Sequence, residues 1–192
     1  MRTAAVILAA GASSRMGSPK QALRCEGTSL LRRAALTALN AGCEPVVVVT
    51  GAHAEQSRRE LDGLGVQETL NREWPEGIAS SIRSGVHYVA AANTSADAVI
   101  VMLCDQPRVS ADLLMALVAA HAATAKPIVA CRYANTSGVP ALFARTVWAD
   151  LTLLTGHSGA KQIIESDPSR VHLVPFPDGV IDADTPADFS RL

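Results

Sequence analysis

The segment Gly11-Ala12-Ser13-Ser14-Arg15-Met16-Gly17-Ser18-Pro19-Lys20 combines the groups needed to hold a triphosphate. Gly11 and Gly17 let the backbone approach a ligand and present consecutive N–H groups to it. Ser13 and Ser14 add hydroxyl donors, while Arg15 and Lys20 set two cations on one loop, where they can stabilise a departing pyrophosphate. Two better-known phosphate loops do not fit. G-x-x-x-x-G-K-[ST] requires a shorter gap and an adjacent lysine, and G-x-G-x-x-G fails at Ser13. Asp105 follows the apolar run Ala98–Leu103 almost directly, and a carboxylate there is a hard oxygen ligand suited to Mg²⁺ between protein and phosphates. Asp182 and Asp184 alternate, so in an extended segment both carboxylates share one face and suit the same metal. Asp184 suits equally a cap on a helix opening at Pro186.

Strand–helix alternation must position these groups. Ala4–Ala10, Val46–Thr50, Ala98–Leu103 and Ile128–Cys131 are short apolar runs suited to strands buried on both faces, and Val66–Leu70 adds another. Helical spacing appears over Ser29–Leu39, Ala54–Leu61, Ser80–Ala92 and Ala111–Ala123, with Ser29 and Ser80 as expected caps. This order predicts an α/β fold: a doubly wound, mostly parallel sheet with helices on both faces. Ligands bind such sheets outside the carboxyl ends of the strands, which is where the glycine loop and Asp105 both fall. Beyond about residue 133 the pattern is irregular, with a late strand over Arg170–Val174 and a closing helix over Thr185–Leu192. No repeat or linker divides the chain, so residues 1–192 read as one domain.

Composition excludes other roles. The 192 residues carry 17 Lys+Arg against 18 Asp+Glu, a net charge of −1, which argues against a polybasic nucleic-acid binder. With 2 Trp, 2 Tyr and 3 Phe, base-stacking platforms are poorly provided for. Cys25, Cys43, Cys104 and Cys131 form no C-x-x-C pair, which disfavours zinc and predicts reduced, mostly buried thiols. The apolar run at the N-terminus is too short to span a membrane, and the expected location is cytoplasmic.

Leu8-Ala9-Ala10-Gly11-Ala12-Ser13-Ser14-Arg15-Met16-Gly17-Ser18-Pro19-Lys20 resembles the signature L-A-A-G-x-S-x-R-M-G-x-x-K of the molybdenum-cofactor nucleotidyltransferases. The likeness is to the cytidylyltransferase (MocA-like) branch of the MobA-like NTP transferases. Guanylyltransferases of that family read L-A-G-G, so Ala10 points to CTP. Further pieces follow in the family's order: Asn71-x-x-Trp74-x-x-Gly77-x-x-x-Ser81-x-x-x-Gly85, Leu103-Cys104-Asp105-Gln106-Pro107, Gly156-His157-Ser158-Gly159-Ala160-Lys161 and Asp182-Ala183-Asp184-Thr185-Pro186.

The resemblance implies a Rossmann-like nucleotidyltransferase fold and transfer of CMP from CTP to the phosphate of molybdenum-bound molybdopterin. It implies a nucleotide site built from Leu8, Ala9, Ala10, Gly11, Ser13, Ser14, Arg15, Gly17, Lys20, Asn71, Gly77, Ser81 and Asp105. Arg15, Lys20 and Asp105 would carry catalysis, and Mg²⁺ would sit on Asp105 with Asp182 and then Asp184. Gly138, Pro140, His157, Gly159 and Lys161 fall on the acceptor side. There the chain departs from the family, with His157 and Lys161 in place of the acid and arginine of G-D-x-G-A-R, and Val139 in place of the histidine of G-H-P. A surface-loop reading also fits His157. Other expectations compatible with the residues are a guanylyltransferase or another NTP:phosphate nucleotidyltransferase, an NAD(P)H-dependent oxidoreductase on the same fold, and a chaperone that delivers the cofactor in transient contact with a molybdoenzyme.

Overall fold

The computed structural model describes residues 1–12, 20–92, 95–134 and 136–180. β1 (Thr3–Ala9) is buried at all seven positions, as its unbroken apolar run requires. A short antiparallel ribbon, β2 (Arg24–Cys25) and β3 (Thr28–Ser29), leads into α1 (Leu30–Asn40). The Ser29 hydroxyl caps α1 by accepting from the Arg32 amide at 3.2 Å. The chain continues through β4 (Val46–Thr50), α2 (Ala54–Leu61), β5 (Gln67–Leu70), α3 (Ile78–Ala91) and β6 (Ala98–Leu103). It then forms α4 (Ala111–Thr124), β7 (Ile128–Tyr133), β8 (Thr136–Ala144), α5 (Trp148–Thr152), α6 (Ala160–Ser166) and β9 (Val171–Pro175).

The main sheet has seven strands in the order β5-β4-β1-β6-β8-β7-β9. All neighbours run parallel except β8, which is antiparallel to both β6 and β7. Alternate side chains feed two cores. Val6, Val49, Val101 and Phe143 meet Ile82, Val86 and Leu151 on one face, while Ile7, Val48, Ile100 and Leu142 meet Leu31, Leu114 and Leu117 on the other. Gly85 lets α3 lie flat on the sheet, since a Cβ there would stand 2.3 Å from Val6 Cγ1. The predicted doubly wound, mostly parallel, Rossmann-like architecture is the one observed.

The expectation of irregular chain beyond residue 133 is overturned, because β8 is a nine-residue strand inside the sheet. Gly138 and Pro140 disguise it, since both residues ordinarily weaken a central strand. A bulge resolves the conflict. Ala130 pairs with Ala141 but the next residue, Cys131, pairs with Gly138, so Val139 and Pro140 are left out of the ladder. β6 in turn pairs with β8 only as far as Val101–Ala141. The proline therefore sits where no ladder amide is needed. α3 starts at Ile78, so Ser80 lies inside its first turn instead of capping it. The closing helix over Thr185–Leu192 lies outside the described residues.

Among the described residues no helix is long and apolar enough to cross a membrane. Of the cysteines, Cys43, Cys104 and Cys131 are buried. Burial pushes the Cys43 thiol up to about 11 and Cys131 to about 12, so both stay protonated.

Candidate functional site

A cleft of about 430 Å³ opens at the carboxyl ends of β1 and β6. The register that pairs Leu8 with Leu103 determines its floor. The chain leaves β1 through Ala9, Ala10 and Gly11 while the neighbouring strand leaves through Cys104 and Asp105. All of these residues line the cleft, so the start of the glycine loop and the carboxylate face one space. Trp74, Pro75, Gly77, Ile78 and Ser81 form a second wall, and His157 closes it.

Side chains overlooked in the sequence hold the loop's two legs in place. Gln21, almost fully buried, donates its amide to the carbonyls of Ala9 at 2.8 Å and Gly11 at 3.0 Å. It thereby ties the returning chain to the strand end from which the loop left. His53, just before α2, donates from Nε2 to the Ala12 carbonyl at 3.1 Å. Gly51 allows the approach that this needs, because a Cβ there would lie 2.5 Å from the Ala10 carbonyl oxygen. No local pattern announces these contacts.

Asn71 organises the opposite wall from behind. Its amide donates to the hydroxyls of Ser80 at 2.8 Å and Ser81 at 3.0 Å, and its Oδ1 accepts from the Glu73 amide at 2.9 Å. The Ser80 hydroxyl in turn donates its one hydrogen, shared between the carbonyls of Glu73 and Gly77. Asn71 is buried and does not line the cleft, whereas Ser81 does. Its part is therefore to aim Ser81 and close the turn before α3.

Of the residues named from sequence, Leu8, Ala9, Ala10, Gly11, Gly77, Ser81, Asp105 and His157 are brought to this cleft. Gly138 and Pro140 are not: the β8 ladder and its bulge claim them. Gly159 is the N-terminal cap of α6, and Lys161 points along that exposed helix toward Glu165 at 3.6 Å; neither lines the cleft. Ser13, Ser14, Arg15, Gly17, Asp182 and Asp184 lie outside the described residues, and for Lys20 only the backbone turn Lys20–Ala22 is described. No group of three or more candidate metal ligands occurs among the described residues. Asp105 by itself still fits Mg²⁺, which ordinarily takes one or two carboxylates and completes its shell with substrate phosphates and water.

The family described as "MobA-like NTP transferase domain" matches residues 5–171, from β1 into β9. The chain belongs to this family. It is accordingly a nucleotidyltransferase. Parts of four of the segments that carry the resemblance line the cleft: residues 8–12, then Trp74, Gly77 and Ser81, then residues 103–105, and His157. The crystal structure of Rv0371c from Mycobacterium tuberculosis H37Rv matches with 31% identity and a TM-score of 0.82, covering 100% of this chain and 97% of that one. A manganese complex of Rv0371c matches with 29% identity and a TM-score of 0.78, covering 100% and 98%. The "Nicotine blue oxidoreductase" of Paenarthrobacter nicotinovorans is 38% identical over 119 residues, 60% of this chain and 55% of that protein. A "Probable molybdenum cofactor guanylyltransferase" of Bacillus cereus (strain Q1) is 30% identical over 107 residues, 56% of this chain and 50% of that one. The chain thus spans about half the length of these two curated relatives.

The clamp on this MobA-like loop has a measurable consequence. Gln21→Leu leaves two carbonyls without their donor, a loss of about 1–3 kcal/mol shared between stability and loop order. Nucleotide binding, followed by calorimetric titration, should weaken about tenfold. Unchanged affinity would show that Gln21 does not set the loop.

Proposed function

We propose that the chain transfers CMP from CTP to the phosphate of molybdenum-bound molybdopterin, in a Mg²⁺-dependent reaction that releases pyrophosphate. One observation carries this reading: the start of the glycine loop, Gly11 and Ala12, and Asp105 line a single cleft at the ends of adjacent parallel strands. Further support comes from Ala10 at the position where guanylyltransferases carry glycine, and from the manganese bound to Rv0371c.

In this mechanism the triphosphate would lie against the Gly11–Gly17 backbone, with Arg15 and Lys20 offsetting its charge. Ser81 donates to the nucleotide from the facing wall. Asp105, with Asp182 and Asp184 as the resemblance implies, would hold the Mg²⁺. The chemistry such an ion would supply there is charge stabilisation on the phosphates. A phosphate oxygen of the acceptor forms the new bond to the α-phosphorus, and the α–β bridging bond breaks with its electron pair leaving on pyrophosphate. The acceptor arrives ionised, so the protein supplies no nucleophile. Its residues contribute positioning and charge neutralisation.

A screen of the four NTPs with Mg²⁺ and molybdenum-loaded molybdopterin, read as pyrophosphate release, tests the assignment. CTP should be preferred. Preference for GTP would make the chain a guanylyltransferase, and silence with every NTP would remove the transferase reading. A second reading, an NAD(P)H-dependent oxidoreductase, is favoured by the likeness to nicotine blue oxidoreductase. Tight NAD(P)H binding in a fluorescence titration would support it.

A further inference from the structure

Residues 153–159 form a loop that reaches the cleft at His157, while Leu153, Thr155 and Ser158 of the same loop line a second hollow of about 360 Å³. Leu153 is 77% exposed. Leu154 is buried in the core and anchors one end of the loop, but packing does not fix its more exposed part from Thr155 to His157.

Hydrogen bonds do. Glu76 accepts from the Gly156 amide at 3.1 Å through Oε1, and both its oxygens accept from the Arg83 guanidinium, at 2.8 and 2.6 Å. Arg83 also donates to the Leu154 carbonyl at 2.7 Å. The loop is therefore gripped on either side of Thr155, by an acceptor from the turn before α3 and a donor from within α3. The Ala79 amide adds a third bond, to the Gly156 carbonyl at 3.2 Å. Glycine at position 77 lets the two segments touch, for a Cβ there would stand 2.3 Å from that same carbonyl oxygen.

We propose that Glu76 and Arg83 are a positioning pair that sets the acceptor-side wall, fixing His157 relative to the nucleotide without contributing to nucleotide binding. This rests on the transferase reading above. An exposed ion pair adds little stability, but a planar fork that also holds backbone at two points fixes geometry. The Arg83 guanidinium, and then the Gly156 amide, hold the Glu76 carboxyl down at about 2. A carboxyl depressed in the folded state contributes above its unfolded value of 4.5, and the contribution is lost as pH falls toward 2. The grip thus stays in place at neutral pH, where the reaction would be assayed.

The test uses the full chain with Glu76→Gln, Arg83→Gln, and the exchanged pair Glu76→Arg/Arg83→Glu, each assayed separately for CTP and acceptor. KM for the acceptor should rise on the order of tenfold to a hundredfold, as expected when a substrate-facing group shifts by about 1 Å. KM for CTP should stay within about twofold. The exchanged pair restores the ion pair but not the acceptor for Gly156 or the donor for Leu154. Its acceptor KM should therefore stay raised like that of the single variants. Hydrogen exchange at the Gly156 amide should quicken in all three. An equal rise in both KM values, an unchanged acceptor KM, or unchanged Gly156 exchange overturns the proposal. Failure of the transferase reading would show in the wild-type protein, as absent pyrophosphate release with any NTP, and is read before the variants are made.

Discussion

Asp105→Asn should slow pyrophosphate release about a thousandfold, since metal-assisted charge stabilisation is worth several kcal/mol and each 1.4 kcal/mol is about tenfold. The substitution keeps the side chain's shape and removes its charge, so the melting temperature should stay within a few degrees. Location explains the size of the effect. The pairing of Leu8 with Leu103 delivers Asp105 to the same opening as Ala10 and Gly11, and no other carboxylate among the described residues lines that cleft. Steady-state turnover with saturating CTP and acceptor is the measurement. Near-normal turnover would move the metal entirely onto other residues.

Gly77→Ala should be the most damaging single methyl in this region, with a loss of about 3 kcal/mol. Two costs combine. Gly77 has φ of +127°, which L side chains rarely adopt, and its missing Cβ would stand 2.3 Å from the Gly156 carbonyl oxygen and 3.0 Å from the His157 amide nitrogen. Those neighbours are backbone and cannot rotate away. The loop carrying His157 must separate from α3, losing the Ala79–Gly156 bond. For a chain of this length the melting temperature should fall by roughly 10 °C. A variant melting like wild type would show that the two segments separate at no cost.

What was legible in the sequence followed from local pattern. Unbroken Val/Ile/Ala runs give β1, β4 and β6; regular apolar spacing gives α1 and α4; Asp105 is visible because it trails an apolar run. What was hidden depends on chain segments distant in sequence. Gln21 reads as an ordinary polar residue until the chain returns it to Ala9, and His53 until Gly51 lets it reach Ala12. Glu76 and Arg83 straddle the start of α3, with nothing to say that both would reach a loop more than seventy residues downstream. β8 was hidden for a different reason. Gly138 and Pro140 ordinarily interrupt a strand, and only the bulge opposite Ala130 and Cys131 makes them tolerable. That placement also keeps both residues out of the cleft lining.

The same bulge has a consequence for how the molecule opens. β6 is tied to β1 as far as Leu103 but to β8 only as far as Val101, and Gln106 reaches across to the Val139 carbonyl at 3.4 Å. Its last two residues, which lead to Asp105, are thus laddered on one side only. In native-state exchange, the amides of residues 102–104 should open at lower free energy than those of residues 98–101, in a local fluctuation that leaves both cores intact. The carboxylate thus follows a strand end that is held on one side only, which gives it more freedom than the doubly laddered sheet that aims it.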